Sequence, residues 1–518
     1  MSLTRKFASV GGATMASRVL GFVREAMIAA FLGAGPVADA FYAAFRFPNL
    51  FRRLFAEGAF NSAFVPLFAS ELETGGRDAA REFAEKILSF LLLVLLVFSA
   101  LAMIFMPFLV GTIIAPKFAD DQAKFDLTIL LTRIMFPYLA AMSLVAMLSG
   151  ILNAFRRYFL AAFAPVVLNI ILIAVLAGAG LSGYEPREIG IAMAWGVFLA
   201  GIMQLALLIY GIRKQGFPLS LRMPRPSPAV KRLLILALPT ALAGGITQIN
   251  LLVGQIIASA QAGGIAIMNY ADRLMQLPLG IIGISIGVVL LPELTRALAG
   301  DNRKEAMHLQ NRSLEFGLGL TVPAAVGLFM IPLPLIALVY ERGAFDRETS
   351  ELTAQVLAAF ALGLPSFVLI KIFQPSFYAR QDMRTPMWFS GVNAVSNIVL
   401  ALLLFPVYGV VGLALATSAA GWINAFLLWF VLLGGKHLEF AVSTVRNVIF
   451  ICVASAAMAA VLYAGSWYLS DALVNDPLLV RLALIGALIV ISAIVYFAIV
   501  IATGAIPKQQ LLRMVRRR

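Results

Sequence analysis

Twelve charged side chains sit inside long apolar stretches, where charge is expensive. Eight are basic: Arg18, Arg24, Arg46, Arg52, Arg53, Arg133, Arg273 and Lys371. Four are acidic: Glu25, Asp39, Glu57 and Asp272. A charge at mid-bilayer costs at least about 2.5–3.5 kcal/mol on insertion scales, so such residues are expected to face a watery cavity or a partner. Their balance is +4. Arginine suits phosphate because its planar fork donates paired, charge-assisted hydrogen bonds and stays protonated. Several arginines in a low-dielectric cleft point to an anionic ligand, most simply a diphosphate.

Spacing refines this. At 100° per residue, Arg18 and Glu25 share one face of a helix, with Arg24 to one side. Asp39, Arg46, Arg53 and Glu57 make one stripe on an unbroken helix. Pro48 removes a hydrogen bond between them, which predicts a break there. Asp272 and Arg273 are neighbours and point in different directions. Plainer readings stand beside these: Arg52 and Arg53 snorkelling to an interface, Arg46 pairing with Asp39 or Glu57 for structure, Asp272 only orienting Arg273. Arg133 and Lys371 stand alone and receive no role. Arg18, Arg24 and Arg273 carry the functional reading.

The elements that position these residues follow from composition. Of 518 residues, 61% are hydrophobic and 13% charged, with mean hydropathy +0.93. Soluble chains are about half apolar and about a quarter charged. The chain is therefore an all-α polytopic membrane protein. A span needs roughly 20 mostly apolar residues. Fourteen transmembrane helices are expected, at 8–33, 38–69, 83–115, 127–153, 158–182, 188–212, 230–259, 263–298, 310–340, 350–380, 385–406, 409–434, 446–470 and 478–505. Ten of the twelve charges lie on the first, second and eighth.

Basic residues orient the spans. With the N-terminus inside, the cytoplasmic segments hold 26 Lys and Arg. The outer segments hold six: Lys117, Lys124, Arg187, Arg342, Arg347 and Arg481. This bias predicts an inner-membrane protein with both termini cytoplasmic. It also explains the net charge of +14 without nucleic acid. The stretch after Lys6 carries Arg18, Arg24 and Glu25, a poor signal-peptide core, so it is read as the first span. A single cysteine, Cys452, excludes an intrachain disulfide, and two histidines, His308 and His437, leave no zinc cluster. No metal site is expected. There is no GxxxxGK[ST] loop, no Ser/His/Asp arrangement and no carboxylate pair placed for acid–base work, so the chain does not read as an enzyme.

An offset of about 226 residues gives a self-match. Phe64-Val65-Pro66 falls on Leu290-Leu291-Pro292, Met106-Pro107 on Ile331-Pro332, Phe136-Pro137 on Leu364-Pro365, and Asn169-Ile170-Ile171-Leu172 on Asn397-Ile398-Val399-Leu400. Each unit holds six spans, an even number, so both start on one membrane face. That predicts two pseudo-symmetric six-helix lobes, 1–225 and 226–440, with the substrate site between them. Residues 441–518 supply two further helices and a basic cytoplasmic tail.

Four segments resemble one known family: Arg18-Val19-Leu20-Gly21-Phe22-Val23-Arg24-Glu25; Gly33-Ala34-Gly35 with Asp39-Ala40-Phe41; Pro48-Asn49-Leu50-Phe51-Arg52-Arg53-Leu54-Phe55-Ala56-Glu57-Gly58-Ala59-Phe60; and Tyr270-Ala271-Asp272-Arg273-Leu274. They look like the MurJ/MviN family, the lipid II flippases of peptidoglycan synthesis. The resemblance implies the multidrug/oligosaccharidyl-lipid/polysaccharide exporter fold and alternating access. It also implies a lipid-facing groove made by the last two helices. By position, Arg18, Arg24, Arg273 and Arg52 would bind the diphosphate headgroup. Glu25, Asp39, Arg53, Glu57, Asp272 and Asn49 would be cavity or gating residues. Position 25, often Asp in that family, is Glu25 here, with the charge kept. Implied partners are lipid II, membrane lipids and the cell-wall synthesis machinery, in a bacterial inner membrane.

The resemblance implies no cofactor, only dependence on membrane potential or a monovalent cation. Some relatives use a sodium site with carboxylates. Here spans seven, eleven and twelve contain no Asp or Glu, and Asn250, Asn393 and Asn397 offer only neutral oxygens. Membrane potential is then the expected means of reset. Two alternatives share the fold: a flippase for another lipid-linked oligosaccharide, and a MATE-like antiporter. The second wants an acidic cavity, against the +4 balance. A scaffold that only binds a lipid-linked precursor would not require so many buried arginines.

Overall fold

The structure is a computed structural model that describes residues 3–51, 53, 60–225 and 227–505. Every regular element among the described residues is a helix. In chain order these are α1 (Leu3–Leu32), α2 (Pro36–Phe51), α3 (Asn61–Thr74), α4 (Gly76–Ile104), α5 (Met106–Leu109), α6 (Gln122–Met135), α7 (Tyr138–Ala154), α8 (Tyr158–Leu181) and α9 (Pro186–Lys214). There follow α10 (Pro228–Ala258), α11 (Gly264–Ala299), α12 (Arg303–Met330), α13 (Pro332–Val339), α14 (Arg347–Tyr378), α15 (Arg384–Gly434), α16 (Val442–Tyr468), α17 (Ala472–Asn475) and α18 (Leu478–Ala502). Among the described residues nine helices are long and apolar enough to cross a membrane, counting α6 with α7 as one. One of the nine, α15, contains two of the expected spans. They are two helices joined across a kink at Gly409, whose φ of 56° and ψ of −138° are non-helical and open to glycine.

The break expected at Pro48 is not there. Helix α2 passes through Pro48 and ends at Phe51, and α3 begins afresh at Asn61. Pro48 removes one backbone hydrogen bond to the preceding turn without ending the helix there. The opposite happens at Phe136-Pro137. There α6 ends and α7 begins, whereas its counterpart Pro365 lies inside the continuous α14. Helix α10 bends by 52° between Ala241 and Gly244, just after Pro239 and at the Gly244-Gly245 pair.

Helix starts recur along the chain. Leu3 and Pro228, Gly76 and Arg303, Met106 and Pro332, Gln122 and Arg347, and Tyr158 and Arg384 are each separated by 225 to 227 residues. Even the short α5 after α4 has its counterpart in α13 after α12.

The chain forms two compact units, Met1–Ala266 and Ile267–Arg518. The sequence-derived repeat divides at 225/226, but compactness divides later, because α10 packs on α3 and α4. Within the first unit α1 lies on α8, α8 and α7 on α9, and α2 on α6. A ring cluster of Phe64, Phe68, Phe155 and Phe217 closes one end. Within the second unit α14 packs on α15, and α12 packs on both α14 and α16. α14 and α15 approach closely at Gly363, where a Cβ would stand 2.8 Å from Ser418 Cα. Ser418 Oγ donates to Ala359 O at 2.7 Å across the same crossing. Helices α16 and α18 pack together through Ala454, Met458, Leu462, Ile485, Leu488 and Tyr496.

Candidate functional site

Arg24 is held at the centre of a buried polar network in the first unit. It is 9% exposed. Its Nη1 donates to Asn169 Oδ1 of α8 at 2.8 Å, and its Nη2 is paired with Glu25. Tyr42 of α2 donates its hydroxyl to the other oxygen of Glu25. Asn169 is itself fixed, because its Nδ2 donates to Ser17 O of α1 at 2.9 Å. Two arms of the guanidinium are thus positioned while its buried Nε–H has no partner. The network joins α1, α2 and α8. It exists because consecutive residues on α1 project about 100° apart, and Arg24 folds back onto its neighbour rather than extending. Arg18 and Glu25, expected on one face, have different surroundings: Arg18 is exposed and Glu25 buried.

Asp39 makes a second buried centre. It is 0% exposed, and its Oδ2 lies 2.7 Å from Lys124 Nζ of α6. Gly263 N donates to the same oxygen and Ala266 N to Oδ1, both at 2.9 Å. The carboxylate therefore caps the first turn of α11, where unpaired N–H groups and the positive end of the helix dipole favour an anion. The Lys124 ammonium also stands 3.8 Å from the centroid of the Phe118 ring. Lys124, read from the sequence as an outer-segment cation, is instead a buried partner, 9% exposed. The reason is local. Asp121 Oδ1 accepts from Lys124 N at 3.1 Å and starts α6 there, turning the side chain inward. Asp39 is consequently engaged by Lys124 and two backbone amides.

The other expected residues are placed as follows. On α2, Arg46 and Asn49 are half-buried, and Arg53 is exposed. Arg52 and Glu57 lie outside the described residues. Arg133 donates Nε to Met103 O at 2.9 Å, a structural tie between α6 and α4. In the second unit, Asp272 and Arg273 are half-buried on α11, and Asp272 accepts from Gln276 one turn on. Tyr270, on the same helix, is fully buried against Tyr340 and Phe345. Lys371 is half-buried on α14. Among the described residues no three His, Cys, Asp or Glu side chains gather as metal ligands would.

Comparison with known proteins converges on one answer. A family model described as "Lipid II flippase MurJ" matches residues 28–501. The chain belongs to the MurJ family. A relative from Rhizobium meliloti, named "Probable lipid II flippase MurJ", is 51% identical over 518 residues, covering 100% of this chain and 97% of the relative. A solved structure of "Lipid II flippase MurJ, inward closed conformation" superposes with a TM-score of 0.77 at 26% identity, covering 95% of this chain and 99% of that one. An inward-facing multidrug-resistance MATE transporter of the MOP superfamily superposes with a TM-score of 0.67 at 14% identity, covering 80% of this chain and 93% of that one. That likeness shows the shared fold alone. The MurJ family handles lipid II as its substrate, and the chain is accordingly a multi-pass membrane flippase.

Sequence reasoning missed Tyr42, Lys124 and the role of Asn169 in this MurJ chain. Asn169 was visible only as a repeat position. Its value lies in a contact with Arg24, 145 residues away along the chain, which no local pattern reports. Lys124 had a signal, since an Asp three residues before it is a helix cap.

Proposed function

We propose that the chain carries lipid II from the cytoplasmic to the periplasmic face of the inner membrane by alternating access, with Arg24 as its principal headgroup ligand. The observation that carries the site reading is the state of the Arg24 guanidinium. It is buried, two of its nitrogens are fixed by Asn169 and Glu25, and its Nε–H remains without a partner. A buried donor left unpaired costs roughly 1–3 kcal/mol, which an incoming phosphate oxygen relieves. Arg18, exposed on the same helix, and Arg273 in the second unit supply further positive charge. No bond of the cargo is made or broken, so the chain is not an enzyme. The cell-wall synthesis machinery receives the cargo on the outer face, and both termini are cytoplasmic, as the excess of inside lysine and arginine supports.

The energy for the reset is assigned to the membrane potential. Moving one charge through 100 mV is worth about 2.3 kcal/mol, and the intramembrane side chains sum to +4. Collapse of the potential is expected to slow flipping, and an unchanged rate would overturn this assignment. The site is tested with Arg24→Ala and Arg273→Ala. Each variant is expected in the membrane at normal abundance, to bind purified lipid II roughly 10–100-fold more weakly, and to fail to support growth. Full complementation by both would overturn the headgroup assignment.

A further inference from the structure

The second unit contains an apolar trench beside a polar cavity. Helices α12, α14, α15 and α16 enclose an apolar trench of about 310 Å³, lined by Leu314, Phe373, Trp422, Phe426, Trp429 and Phe440 among others. None of the lining residues comes from α18. A second, polar cavity of about 590 Å³ shares Phe440 and Thr444 with the trench. The two are thus continuous, oil at one end and charge at the other.

The polar cavity is lined by Lys304, His308 and Arg312, spaced four residues apart on α12 and so forming one stripe. The two carboxylates there are already engaged. Glu439 is paired with Arg303 at 3.0 Å, and Glu315 accepts from Thr444 at 2.6 Å. Among the described residues, Lys304, His308 and Arg312 have no partner. Two buried polar atoms at the site are likewise unpaired. Asn447, 8% exposed, lines the polar cavity and its Oδ1 accepts nothing. Trp429 lines the trench and its indole N–H donates to nothing, whereas the Trp422 indole N–H is used by Leu362 O at 2.9 Å. The trench is aromatic and apolar, and the polar cavity beside it is lined by basic side chains and the unpaired Asn447 Oδ1.

We propose that this site holds an anionic glycerophospholipid of the bilayer, of the phosphatidylglycerol type. One acyl chain fills the trench, whose accessible lining is wholly apolar. The phosphate lies on Lys304 and Arg312, and a headgroup hydroxyl donates to Asn447 Oδ1. Each end is recognised by the chemistry it lacks: apolar surface by chain, cation by phosphate, orphan acceptor by hydroxyl. Basic pockets between membrane helices on the cytoplasmic side take anionic headgroups for the same reason.

Two of the five tryptophans, Trp422 and Trp429, line the trench, so fluorescence reads the site directly. Trp195, Trp388 and Trp467 are exposed and are replaced by Phe. The full chain is placed in phosphatidylcholine nanodiscs doped with either brominated phosphatidylglycerol or brominated phosphatidylcholine. The brominated anionic lipid is expected to quench half-maximally at a roughly fivefold lower mole fraction or less, the enrichment a single basic side chain gives. Lys304→Gln with Arg312→Gln, both exposed positions, is expected to abolish that preference. Equal quenching by the two lipids, or a preference that survives the double substitution, overturns the proposal. So does loss of the quenching on adding one equivalent of a polyprenyl diphosphate, which would make the trench a substrate site.

Discussion

Lys124 and Asp39 form a buried ion pair that ties α6 to α2, with Nζ and Oδ2 2.7 Å apart. The same carboxylate caps the first turn of α11 through Gly263 and Ala266. Removing one partner of a buried pair leaves an uncompensated charge and typically costs about 3–5 kcal/mol. Lys124→Met is therefore expected to destabilise the protein by about that amount. Adding Asp39→Asn should recover part of the loss, since it removes the uncompensated charge and its one amide oxygen still accepts from one of the two backbone N–H groups. Thermal unfolding in detergent checks this. Losses that simply add in the double variant would contradict the pairing.

The connection between α9 and α10 is strapped onto α4. Glu85, 2% exposed, accepts from Arg222 Nε at 2.6 Å and from Ser220 N at 3.0 Å. Ser89 Oγ accepts from Arg222 N at 2.9 Å. Phe217 is buried with the Arg81 guanidinium 5.5 Å from its ring centroid. Hydrogen bonds to a charged group are worth about 1.5–3 kcal/mol. Glu85→Ala should free the strap, and limited proteolysis should cut residues 215–225 faster. Cleavage at the unaltered rate would show that the strap is held otherwise.

Gly363 has no room for a side chain. A Cβ would meet the Ser418 backbone at 2.8 Å. Gly363→Val should separate α14 from α15 and cost about 1–3 kcal/mol by overpacking. The reading is the melting temperature of the purified protein. A variant as stable as the parent would mean that this crossing is looser than described.

His437 lies in the connection between α15 and α16. Burial holds its pKa below the ordinary 6.5, and repulsion from Arg380 and Arg303 adds to the shift. The unfolded chain therefore takes up the proton first as pH falls through the ordinary value, and the folded state loses stability until the folded pKa is passed. His437→Gln should flatten the dependence of unfolding temperature on pH between neutral and mildly acid conditions. An unaltered profile would assign that dependence to other groups.

Much of this was legible in the residues. The apolar excess, the distribution of lysine and arginine and the 226-residue offset announce helices and a duplication, because burial in lipid constrains every position of a span. The Arg18–Arg24 and Pro48–Phe60 segments announce the family. Partners were less legible. The stripe read on the second span does not announce the partners of Asp39, which are Lys124 and the α11 amides, 85 and more than 220 positions away. The proline rule failed at Pro48 and succeeded at Pro137, although each removes the same kind of backbone hydrogen bond. Asn169 and Tyr42, neutral side chains in apolar runs, gain meaning only from the arginine and carboxylate they hold.

The central claim is that this chain moves the lipid-linked peptidoglycan precursor. The direct measurement uses cells in which it is the sole flippase. The chain is depleted, or replaced by Arg24→Ala, and the precursor accessible on the outer face of the inner membrane is quantified. The account predicts that accessible precursor falls while the total accumulates inside, in both cases. Undiminished accessibility after depletion would contradict it.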